Sequence, residues 1–245
     1  LWYNVNATHP YSVGYDFNHE SKYTKQLVDR VLKFWIDEYK IDGYRFDLSK
    51  GFTQKNSGSN VGLWGQYDQS RINILKRMGD KVWSYAPNTY MILEHFADNS
   101  EETVLSSYGF MLWGNCNHDY NEITMGYSGS VLGASYKGRG WSSPNLVGYM
   151  ESHDEERLMY QNLMYGSSMG TYNVKTPSTA ISRMQAVNAF FLTIPGPKMI
   201  WQFGEIGYDV SITYPCMTSE CRTDPKPIKW AYYVDPDRNK LYRSI

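Results

Sequence analysis

A few polar residues break into otherwise apolar runs of this 245-residue sequence. Arg45 and Asp47 stand two apart in IDGYRFDLSK, with Lys50 just beyond; Glu94 and His95 close YMILEHF; Ser152, His153 and Asp154 follow LVGYM. Ionised groups inside apolar runs are costly unless they are paired or put to use. Side chains of a strand repeat every two residues, so Arg45 and Asp47 share a face. Each residue also has a plain structural explanation. Asp47 could cap a following helix, Glu94 could open a first helical turn, Arg45 could be a structural ion pair, and His153 a hydrogen-bonded core histidine. The combination points further. Two carboxylates can work as a pair on a glycosidic bond, one attacking the anomeric carbon while the other protonates the leaving oxygen. Metal hydrolysis fits less well, because the histidines are scattered without HxH or HExxH spacing. A Ser-His-Asp triad lacks the GxSxG elbow.

The surrounding elements can be read from periodicity. In SKYTKQLVDRVLKFWIDEYK, residues 21–40, apolar residues recur every three or four positions, which predicts an amphipathic helix with Ser21 as its cap. IDGYRFDL then reads as a strand. The alternation continues with a helix over 67–85 and a strand at 90–96, then SEETVLSSY and GFMLWGN. A less regular region leads to LVGYMES, and SRMQAVNAFFLTI to KMIWQF. Apolar runs alternating with amphipathic helices predict an α/β fold with five parallel strands buried on both faces. In such folds, working groups gather where strands end. NSGSNVG and SYKGRG read as surface loops.

Composition narrows the function. Net charge is −1 and pI about 6.6, with no basic stripe, so a nucleic-acid partner is excluded. No apolar run is long enough to span a bilayer. The 22 Tyr and 8 Trp suit sugar surfaces as well as core packing. Cys216 and Cys221 are spaced for a small loop disulfide, which would imply an oxidising, extracellular or periplasmic compartment.

Taken together, the motifs resemble the α-amylase family of glycoside hydrolases. GYRFDLSKG is similar to its fourth-strand motif, ILEHFA to its fifth, YMESHDEERL to its seventh and IPGPKMIWQFGEIGYD to its eighth-strand segment. GYDFN at 14–18 resembles the short motif near the end of domain B. All five come in the family's order. The resemblance implies a partial (β/α)8 barrel, with 1–20 as the end of domain B and 21–245 as the C-terminal part of the catalytic barrel. It implies Asp47 as nucleophile, Glu94 as general acid/base and Asp154 as the third carboxylate. Arg45 would orient the nucleophile, while His153 and Lys50 would contact sugar. An arginine beside Asp47 would lower its pKa; Asp47 and Asp154 would raise that of Glu94. The implied reaction is retaining cleavage of α-1,4-glucosidic bonds in starch-like glucan, with about 5–5.5 Å between the Asp47 and Glu94 carboxyls.

The sequence also departs from the pattern. The first three barrel strands and the third-strand Asp with its Asn-His pair have no match, and DFNHE at 16–20 only imitates the latter. The chain therefore reads as a fragment of a longer enzyme, with little activity alone. Where many relatives place a calcium-binding histidine after the lysine, this sequence has Gly51; Asp16 matches a ligand from domain B. Calcium is thus an expectation for the intact protein. The alternatives are a glucan-binding or transglycosylating amylase-like protein without hydrolytic turnover.

Overall fold

The computed structural model describes residues 2–11 and 14–245. The chain divides into two compact units, residues 1–113 with 139–145, and residues 114–138 with 146–245.

In the first unit, helix α1 (Lys22–Tyr39) starts where Ser21 accepts the Tyr23 N–H, and ends where Lys40 turns left-handed. Strand β1 (Gly43–Phe46) follows, then a short helix α2 (Val61–Gly65) and α3 (Gln69–Trp83). Strand β2 (Tyr90–Leu93), helix α4 (Asn99–Tyr108) and strand β3 (Met111–Asn115) complete the order, with the unit boundary falling inside β3. β1 pairs parallel to β2 from Gly43 opposite Tyr90 to Phe46 opposite Leu93, and β2 pairs parallel to β3 at Ile92–Met111 and Leu93–Leu112. A Cβ at Gly43 would fall 2.5 Å from the Tyr90 carbonyl oxygen, so only glycine lets the strands begin pairing there.

The buried layer of this unit includes Ile72, Leu75, Val82, Met91, Leu93, Leu105, Phe110 and Leu112. Met91 and Leu93 lie on the same face of β2, as a period of two requires. β1 is half-buried along its length. Burial on both faces therefore does not hold for these strands, because nothing among the described residues seals the second face of β1.

The second unit holds α5 (Asn117–Met125), β4 (Leu146–Tyr149), α6 (Leu158–Tyr165), α7 (Pro177–Thr193), β7 (Lys198–Met199) and α8 (Pro236–Arg243). β4 is buried throughout and pairs parallel to β7. Helices α5 to α8 pack around Tyr120, Met150, Leu158, Met184, Val187, Phe191 and Leu241. Proline opens both α7 and α8, where its missing N–H costs no helical bond. Helix α5 lies in the stretch that the sequence pattern leaves irregular, and a small antiparallel hairpin, β5 (Ser168–Met169) with β6 (Tyr172–Asn173), lies between α6 and α7. Cys216 and Cys221 form the expected disulfide.

The five parallel strands sit at the five expected places, each shorter than its apolar run. Among the described residues, no helix is long and apolar enough to cross a membrane.

Candidate active site

Asp47 follows β1 and Glu94 follows β2 directly, so parallel pairing brings the two carboxylates to the same end of adjacent strands. Arg45 joins them. Its Nη1 lies 3.0 Å from Asp47 Oδ1 and its Nη2 2.7 Å from Glu94 Oε2. The guanidinium stands 5.0 Å from the centre of the Trp113 ring, within cation–π range. The Leu48 N–H donates to the same Glu94 oxygen at 3.1 Å, from a backbone in the left-handed region at φ 47°.

The two carboxylates differ in exposure. The Asp47 side chain is 76% exposed and that of Glu94 13%. Burial pushes the Glu94 carboxyl above its usual range, and hydrogen bonding with Asp47 adds to this, against the Leu48 N–H and Arg45. Sequence reasoning anticipated the direction but credited neighbouring charge; desolvation is the larger cause. One cation faces two carboxyls here, an arrangement that a proton held by Glu94 suits better than two anions.

Asp68 caps α3 and Asp98 caps α4, accepting N–H groups of the first turn in each. Arg45 does form ion pairs, and both of them are with the candidate carboxylates. Lys50 directs its Nζ to the Phe96 carbonyl at 2.9 Å and lies 4.2 Å over the Trp64 ring.

Beneath this surface lies a buried polar layer. Arg71 Nε and Nη2 each reach Glu101 at 2.7 Å, and Arg71 Nη1 donates to the Lys50 carbonyl at 3.0 Å. His95 Nε2 is 2.7 Å from Glu101 Oε1, and its Nδ1 is 2.9 Å from Ser49 Oγ. Of these, only His95 was a sequence candidate. Arg71 and Glu101 look in sequence like ordinary charges of amphipathic helices, and Trp113 like one more core aromatic.

The expected calcium ligands share a cavity of about 250 Å³ lined by His9, Asp16, His19, Asp47, Gly51 and Phe52. Asp16 Oδ2 accepts from Asn4 Nδ2 at 2.8 Å and from the Thr8 N–H at 3.2 Å, while the Gly51 carbonyl accepts the Thr53 N–H. One carboxylate and one carbonyl fall well short of the six to eight oxygens that calcium takes. Among the described residues, no group of three His, Cys, Asp or Glu could hold a metal ion. These residues do not by themselves fit the ion.

In the second unit, His153 and Asp154 lie beyond the end of β4. Arg222 Nη2 sits 2.6 Å from Asp154 Oδ1, and His153 Nε2 lies 3.3 Å from Oδ2. The Asp154 N–H donates to Ser152 Oγ at 3.0 Å, which gives that sequence candidate a backbone-holding role. His153, Asp154, Trp201, Tyr208 and Arg222 line a cavity of about 400 Å³. An indole beside a carboxylate and an imidazole suits a sugar ring, with apolar faces and polar edges. Arg222 escaped the sequence reading because a loop, not a spacing rule, brings it there; Trp201, just past β7 in the run KMIWQF, reads in sequence as one more core aromatic.

No family model matches the chain. It is 24% identical over 233 residues to a 1,4-alpha-glucan branching enzyme of Halothermothrix orenii, covering 83% of this chain and 33% of that enzyme. Among solved structures it is similar to a pullulanase from Anoxybacillus sp. LM18-11 complexed with maltotriose, with TM-score 0.62 and 16% identity over 95% of this chain and 33% of that one. It is also similar to the α-amylase of Geobacillus thermoleovorans complexed with acarbose, with TM-score 0.59 and 16% identity over 94% and 44% of the two chains. The chain spans about a third of the length of the curated relatives it matches. Parallel strands in the expected order, carboxylates at their ends and these likenesses converge: the chain is related to the α-amylase family of glycoside hydrolases, and its fold is that of part of the family's (β/α)8 barrel.

Proposed function

We propose that the protein carrying this chain is a retaining enzyme that cleaves α-1,4-glucosidic bonds of starch-like glucans. The observation that carries the reading is the single guanidinium of Arg45, which holds Asp47 and Glu94 together. Asp47, the exposed partner, attacks the anomeric carbon as the bond to the leaving oxygen breaks, and Glu94 gives that oxygen its proton. Glu94, now an anion, takes a proton from water, which attacks the same carbon and releases Asp47. Burial of Glu94 favours the protonated form that the first step needs. In the first unit Lys50 serves the leaving-group side; in the second, the resemblance gives Asp154 and His153 as contacts for sugar hydroxyls, and Trp201 lines the same cavity as a stacking face. The maltotriose of the related pullulanase and the acarbose of the related amylase are ligands of the proposed class. The disulfide supports an extracellular or periplasmic location. Calcium binding is proposed for the whole protein, with ligands beyond the two present here.

A second reading has specific support, because the curated relatives are branching enzymes. In it the hydroxyl of a second glucan, not water, gives its proton to Glu94 and accepts the glycosyl group. Amylose would be incubated with the gene product that contains this chain, and with its Asp47→Asn and Glu94→Gln variants. Reducing-sugar release reports hydrolysis, and new α-1,6 linkages in the proton spectrum report transfer. Loss of either product in both variants is expected. Equal product from wild type and both variants would sink the assignment, and binding without any product would mark a glucan-binding protein.

A further inference from the structure

We propose that Ser49 and His95 are positioning residues for Glu94: the chain Glu101–His95–Ser49, clamped by Arg71, holds the turn after β1 against the end of β2 and so keeps the Leu48 N–H on the Glu94 carboxylate. This rests on the reading of Glu94 as the acid/base. The turn is tied to β2 by main chain as well as side chain. The Ser49 N–H and Oγ both lie 2.9 Å from the Glu94 carbonyl oxygen. Ser49 is fully buried, as are the imidazole and carboxylate behind it. A reactive hydroxyl would need access to substrate, so the Ser-His-Glu order serves geometry here.

Proton bookkeeping fixes the direction of the chain. Glu101 faces Arg71 and is held ionised by His95 and Arg71 against the effect of burial, so it accepts from His95 Nε2–H. Burial keeps the imidazole neutral, against the pull of Glu101. Nδ1 is then an acceptor, and the Ser49 hydroxyl donates to it. The Glu94 carbonyl is left with the Ser49 N–H. Glu101 also accepts the Asp68 N–H at 2.8 Å, and Arg71 also reaches the Trp64 and Gln66 carbonyls, so the anchor has its polar groups satisfied.

The turn needs such an anchor. Leu48 sits at φ 47° and Phe96 at φ 51°, both in the region that side-chain-bearing residues avoid. Such residues persist where their surroundings over-determine them. Here one follows each candidate catalytic carboxylate closely, and the Ser49–His95 bond ties the two turns together. The charged groups facing Glu94 are Arg45 and Asp47; those facing His95 are Glu101, Arg71 and Lys50.

Ser49→Ala in the full gene product removes the hydroxyl with little change in volume. With the Leu48 N–H released from Glu94, a bond favouring the anion is lost, so the alkaline limb of the kcat–pH profile should move upward. We expect kcat to fall about tenfold with KM nearly unchanged, and Ser49→Thr, which keeps a hydroxyl, to recover most of both. Unchanged kcat and profile in Ser49→Ala, or equal losses in the Ala and Thr variants, would overturn the proposal. Glu94→Gln separates the two levels. If it retains turnover, the acid/base reading fails; if it is inactive while Ser49→Ala behaves as wild type, only the positioning role fails.

Discussion

Arg45 donates to Glu94 Oε2 from Nη2 at 2.7 Å while its other terminal nitrogen reaches Asp47. The fork of a guanidinium can hold two carboxyls at a fixed separation, which an ammonium cannot. Arg45→Lys should therefore lower kcat by about 10²-fold, with a smaller change in KM. Steady-state kinetics on maltooligosaccharides check this, and retention of more than half of wild-type kcat would contradict it.

The buried ion pair beneath the site has a different signature. Arg71 and Glu101 are almost fully buried, and removing one leaves the other charge uncompensated. Arg71→Met should cost about 3–5 kcal/mol of stability, read as a lower urea midpoint or loss of soluble protein. Arg71→Met combined with Glu101→Leu should be less damaging than the sum of the two single changes. Strict additivity in the urea series would show that the charges do not depend on each other.

Glu102, nearly buried beside Arg139, has its carboxyl pushed up to about 7 by burial. The folded state therefore holds a proton that the unfolded state has already released. Its favourable contribution is complete below the ordinary carboxylate range and is lost as pH rises from about 4.5 to about 7. The span corresponds to about 3 kcal/mol at most. Glu102→Gln should flatten this part of the stability–pH curve, measured by denaturant titration at several pH values. A slope unchanged by the substitution would assign it to other groups.

Arg222 and Asp154 form a pair about two-fifths exposed on each side. Such pairs contribute little to stability, so Arg222→Met should leave the melting temperature within about 2 °C. Its effect should appear in sugar binding, because the substitution changes the hydrogen bonding of a carboxylate that faces the cavity. A severalfold change in KM without a change in melting temperature is expected. The reverse pattern would make Arg222 a structural residue.

The sequence made much of this legible because periodic elements carry most of the site. The 3.6 and 2.0 periods placed α1, β1, β2 and β4, and a residue just past a parallel strand can only lie at that sheet's working end. That logic found Arg45, Asp47 and Glu94. It could not find Arg222, which arrives through a loop, nor Trp201, which looks like any aromatic of an apolar run, nor Arg71 and Glu101, whose spacing is that of any solvated helix. Burial of β1 was overestimated for a related reason: an apolar strand reports that it wants cover, and half of β1 remains open among the described residues.

Ser49, His95, Glu101 and Arg71 are buried and bonded one to the next, so losing any one leaves a neighbour with an unmet polar group out of water. Natural variants of this chain should therefore lose or keep the four together. A drifting sequence would cross to another arrangement in coordinated jumps. Enzyme engineers who alter the turn after Asp47 would do well to redesign all four positions at once.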